Sequence, residues 1–92
     1  MPKVVVTAQV EDVAKWEQGF RTHRDLFRSQ SVSKPIDFDA TDDNYVAVCI
    51  EPDNLDTFMK GMDSSATAEA MAFDGVKRET VKVFVLDKEF RF

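Results

Sequence analysis

The stretch "YVAVCIE", Tyr45–Glu51, decides the fold. With side chains alternating from face to face, Val46, Val48 and Ile50 share one side and Tyr45, Ala47 and Cys49 the other. Both sides are apolar, so the stretch reads as a central strand rather than a rim strand with one wet face. Just before it, "TDDN" (Thr41–Asn44) has turn chemistry, and "PIDFDA" (Pro35–Ala40) alternates Ile36 and Phe38 with Asp37 and Asp39. These pieces make a hairpin whose first strand has one wet face.

Working outward, "KVVVTAQVE" alternates Val4, Val6, Ala8 and Val10 with Val5, Thr7 and Gln9, and reads as a strand. Asp12 then caps a predicted helix whose positions Val13, Trp16, Phe20, His23 and Phe27 recur at spacings of three and four and lie within roughly 80° of arc. Lys15, Gln18, Thr22, Asp25 and Ser29 take the wet side, and the helix is expected to run to Arg28–Gln30, ahead of Pro35. Beyond the hairpin, "EPDNLDTFMKGM" predicts a second helix with Leu55, Phe58, Met59 and Met62 on one side. "DSSATAEAMAFDGV" predicts a short helical piece capped by Ser64 or Ser65 and stopped at Gly75. Last, "ETVKVFVLD" alternates Val81, Val83 and Val85 with Lys82, Phe84 and Leu86, and the tail "KEFRF" follows. The order is βαββαβ, the ferredoxin-like α+β fold, in which two helices cover one face of a four-stranded antiparallel sheet.

Composition bounds the function. Ninety-two residues with 43% hydrophobic and 32% charged suit one folded domain spanning residues 1–92. A net charge of −5 works against a nucleic-acid partner, whose phosphates attract Lys and Arg. No stretch approaches the ~20 apolar residues of a membrane span, no cleavable leader is legible, and the single Cys49 builds neither a disulfide nor a zinc site; a cytoplasmic protein is expected. Asp37, Asp39, Asp42 and Asp43 lack the glycine and glutamate of a calcium loop and are explained by strand alternation and turn, so no metal and no cofactor is expected.

Helices cover one sheet face only, yet the first, third and fourth strands are apolar on both. Leaving Val5, Tyr45, Cys49, Phe84 and Leu86 in water would expose a patch of several hundred Å², so a homodimer with sheets packed together is expected.

The runs "VEDVAKWEQGFRTHRDLFRSQSV", "DDNYVAVCIEPDNLDTFMKGMDSS" and "EAMAFDGV" together resemble small proteins of the dimeric α/β-barrel superfamily, related in fold to the antibiotic-biosynthesis monooxygenases. The resemblance covers about Val4 to Leu86. It implies two ferredoxin-like subunits packed sheet to sheet, each with room for a pocket between helices and sheet. Members of the superfamily include monooxygenases working without metal or flavin, isomerases, haem proteins and stress-responsive proteins. This chain has one His, one Tyr and one Cys, few acid/base groups for an enzyme.

His23 on the inward stripe is either a packed histidine satisfied by a polar neighbour or a base facing a ligand. Trp16, Phe20, Phe27, Phe58, Met62 and Met71, with His23, are the candidate lining of an apolar pocket; the same residues equally describe an ordinary core. Tyr45 offers a phenolic donor to a ligand or packs across strands. The leading expectation is therefore a protein that binds a small hydrophobic molecule, such as a fatty acid or aromatic compound. The alternatives are a cofactor-independent monooxygenase or isomerase of an aromatic or enolisable substrate, with His23 as base, and a dimerisation module without ligand.

Overall fold

The computed structural model describes residues 3–92. Strands β1 (Lys3–Gln9), β2 (Asp37–Ala40), β3 (Tyr45–Ile50) and β4 (Lys82–Leu86) form one antiparallel sheet in the order β2-β3-β1-β4. Helices α1 (Val13–Phe20) and α2 (Arg24–Ser29) follow β1, and α3 (Leu55–Met62) and α4 (Ser65–Phe73) follow β3. Tyr45–Ile50 is thus an inner strand, as its two apolar faces require.

Local chemistry starts each helix. Asp12, Asn54 and Ser64 cap α1, α3 and α4, each side chain accepting from the backbone N–H three residues on. Gly75, at φ +76°, turns the chain after α4 in the left-handed region that suits glycine. Val10 then pairs with Val76, and the Gln9 backbone N–H donates to Thr80 Oγ1 at 2.8 Å, tying the segment before β4 to the end of β1.

Register settles which face is covered. Val4 and Val6 lie opposite Ile50 and Val48 on one side and opposite Val85 and Val83 on the other. This set, with Ala8 and Val46, faces the helices, and the core of Val4, Val6, Ala8, Val10, Trp16, Val32, Val46, Val48, Ile50 and Phe58 forms there. The opposite face carries Val5, Cys49, Phe84, Leu86, Ala47 and Tyr45, and no element among the described residues covers it; Tyr45, Phe84 and Leu86 are about half exposed. The helices also stop short of β4, whose Val83 and Val85 remain exposed on the covered side.

One expectation needs correcting. The helix predicted from Val13 to the region of Arg28–Gln30 is two helices, broken at Arg21–His23. There the hydrogen bonds tighten to three-residue spacing, Thr22 N–H to Gly19 O and His23 N–H to Phe20 O, and the Thr22 hydroxyl donates to Gly19 O at 2.6 Å. His23 and Phe27 keep their inward direction across the break.

Candidate functional site

Between the helices and the sheet lies a cavity of about 90 Å³. Its floor is Val6, Ala8, Val46, Val48 and Ile50 of β1 and β3; α1 and α2 supply Trp16, Phe20, Leu26 and Phe27; α3 and α4 supply Met62, Ala70 and Met71. Space remains because α4 presents Thr67 and Ala70, small side chains, to the sheet where a leucine would have filled the gap. The aromatic wall is held by its own contacts: Trp16 stacks on Phe20 with ring centroids 5.0 Å apart, and Phe38 of β2 packs against both from behind.

Of the predicted residues, the fold brings Trp16, Phe20, His23, Phe27, Met62 and Met71 to this cavity. It does not bring Tyr45 or Phe58. Tyr45 lies opposite Gln9 on the uncovered side of the sheet, so it cannot position anything in the cavity. Phe58 is fully buried in the core away from the cavity wall. The period-two pattern of β3 separates its faces but does not say which one the helices take.

Polar chemistry is concentrated here. The buried polar side chains among the described residues are Gln30, Thr67 and Asp74, and all three line the cavity. Gln30 Nε2 donates to Thr67 Oγ1 at 2.6 Å, and the Thr67 hydroxyl donates to Gly61 O at 2.6 Å, so that pair is internally satisfied. Asp74, the residue closing α4, places Oδ2 2.7 Å from His23 Nε2. Its Oδ1 is buried with no hydrogen-bond partner among the described residues. Burial pushes the Asp74 carboxyl above its ordinary value, and the hydrogen bond and charge of His23 pull it part of the way back.

Two signals for Asp74 were present in the sequence. An acid at a helix C-terminus opposes the helix dipole, and a glycine inside an amphipathic helix marks a close approach. Gly19 is that glycine: a Cβ there would run into the Asp74 carboxylate. Asp74 lies 51 residues from His23 in the chain, so only the fold joins them.

A histidine whose one ring nitrogen is held by a carboxylate, at the rim of an apolar cavity, can hold or move a proton at the other nitrogen. Among the described residues no group of His, Cys, Asp and Glu is arranged to hold a metal ion, and no helix is long and apolar enough to cross a membrane.

No protein-family model and no curated protein matches the sequence. Solved structures match along almost the whole chain. A provisionally assigned antibiotic biosynthesis monooxygenase from Bordetella bronchiseptica superposes with a TM-score of 0.74 at 14% identity, over 97% of this chain and 97% of that one. SnoaB, a cofactor-independent oxygenase from Streptomyces nogalater, gives 0.70 at 14% identity over 98% of this chain and 94% of its own. An ethyl tert-butyl ether D family protein from Bacillus halodurans gives 0.61 at 14% identity over 97% and 99%. Identities this low speak to architecture, and the chain has the ferredoxin-like α+β fold of the antibiotic biosynthesis monooxygenase structures.

Proposed function

We propose that the protein binds a small apolar organic molecule between its helices and sheet, and does so as a homodimer joined through the uncovered sheet face. The carrying observation is the cavity itself: apolar walls with the buried polar side chains gathered at its edge, the usual composition of a ligand site. At about 90 Å³ the space is smaller than the ~150 Å³ cavity that accepts benzene in an engineered protein. The ligand is therefore a monocyclic arene or a short acyl group rather than a long fatty chain, and Met62 and Met71 are the adaptable wall that makes room for it.

Fluorobenzene titrated into the protein and followed by ¹⁹F NMR is expected to bind saturably, and Ala70→Leu, which fills the cavity, is expected to weaken that binding by about tenfold or more. No saturable binding to the wild-type protein would leave the dimerisation module as the better description.

The His23–Asp74 pair favours a second reading, an enzyme that starts from proton abstraction without a cofactor, with His23 as base. The cofactor-independent oxygenase among the fold relatives fits that reading.

The dimer rests on the uncovered sheet face, where Tyr45, Phe84 and Leu86 are each about half exposed, an apolar patch of the kind that marks a contact between chains. Sedimentation is expected to show a dimer. In Phe84→Asp each copy loses about 1.5–3 kcal/mol of burial at the twofold contact, which raises the dissociation constant by about 100-fold or more. A wild-type protein that sediments as a monomer at micromolar concentration would remove this part of the proposal.

A further inference from the structure

We infer that Asp74 is a positioning residue for His23: its carboxylate accepts the hydrogen bond from Nε2–H, holds the ring as the Nε2–H tautomer and leaves Nδ1 to receive a proton from a weakly acidic ligand in the cavity. The inference rests on the second reading above and gives that site its working parts.

Four observations lead to it. The 2.7 Å separation of Nε2 and Oδ2 is in the range of hydrogen bonds strengthened by charge. Asp74 ends α4, where the helix dipole and burial both disfavour a carboxylate, and His23 is the only side chain among the described residues that bonds to it. The carboxylate is also closely packed: it lodges against α1 at Gly19, where an added Cβ would run into it. Finally, His23 begins α2 but its side chain makes no capping bond, so Nδ1 is not spent on the backbone, as a histidine in that place often is.

The proton balance is simple. A bound weak acid breaks its O–H bond, the proton joins Nδ1, and the ligand stays as an anion. The ring becomes imidazolium, and its new positive charge meets the carboxylate already bonded to Nε2. No oxidant or reductant is involved. Without Asp74 the ring can turn over and present either nitrogen, and the imidazolium forms in an apolar cavity with no counter-charge.

His23 is the only histidine of the chain, so its ring nitrogens are read without ambiguity in ¹⁵N NMR. With the pH raised until the ring is neutral, free wild-type protein is expected to show a protonated Nε2 and a bare Nδ1, and Asp74→Asn a mixture of both tautomers. With 4-fluorophenol as the probe, the ¹⁹F shift is expected to report an ionisation equilibrium moved about tenfold toward the phenolate when bound to wild type. That shift is lost in Asp74→Asn and in His23→Gln. Fluorobenzene, which has no proton to give, leaves the wild-type His23 signals as they are in the free protein.

A wild-type ring protonated at Nδ1, or an unshifted phenol bound to wild type, overturns the inference, as does an Asp74→Asn protein with the wild-type tautomer. A merely structural latch between α2 and α4 would change stability without changing the ionisation of the probe. The tautomer is measured without ligand, so it judges Asp74 separately; failure of fluorobenzene to bind strikes the cavity reading instead.

Discussion

Phe58→Ala is expected to lower the free energy of unfolding by about 3–5 kcal/mol, the range seen when a fully buried aromatic side chain is truncated. Phe58 is 0% exposed and sits on the inner side of α3, the helix that Asn54 starts. Its ring is surrounded by core rather than by the cavity, so removing it opens a second void instead of enlarging the first. Small domains have about 5–15 kcal/mol in total, so the variant is expected to be partly unfolded near physiological temperature. Urea denaturation followed by circular dichroism measures this directly, and a loss below about 1 kcal/mol would show that the helical layer repacks freely around the gap.

Gly19→Ala is expected to destabilise the protein, against the usual sign. In an ordinary helix interior alanine gains up to about 1 kcal/mol over glycine. Here the added methyl group meets the Asp74 carboxylate, which is buried and bonded to His23, so it cannot swing into water. Forcing α1 away from α4, or breaking the carboxylate from His23, costs about 1–3 kcal/mol, and the clash outweighs the helix gain. Thermal unfolding of the variant is expected several degrees below wild type; a higher midpoint would mean that Asp74 has room to leave Gly19.

The strands were legible because alternation is a local property. "YVAVCIE" and "KVVVTAQVE" each divide into faces from their own residues, and register then makes those faces continuous across the sheet. Helix starts were legible for the same reason, since Asp12 and Ser64 bond to atoms three residues away. His23 is inward because spacings of three and four hold across Trp16, Phe20 and Phe27 even where the helix breaks. The break itself was not legible: no proline or left-handed glycine makes it, only a threonine hydroxyl returning to Gly19 O.

What the sequence could not show depends on distance through space. The Gln30–Thr67 bond spans 37 residues, and the His23–Asp74 pair spans more. A cavity is the space left between Ala70 and Thr67 on one side and the sheet on the other, and residue spacing measures side chains, not the gap between them. The placement of Tyr45 is of the same kind, because both faces of β3 are apolar and only packing with the helices chooses between them.

β4 is an edge strand that shows apolar side chains on both faces: Phe84 and Leu86 on one, Val83 and Val85 on the other. Its outer backbone groups have no neighbouring strand. Two kinds of self-contact are therefore built into the same five residues. Joining face to face about a twofold axis uses up the patch and stops at two chains, whereas joining edge to edge leaves a fresh edge and continues. In the dimer proposed above, the face contact would also guard against polymerisation, and a substitution that weakens it while leaving the edge intact would trade a closed assembly for an open one.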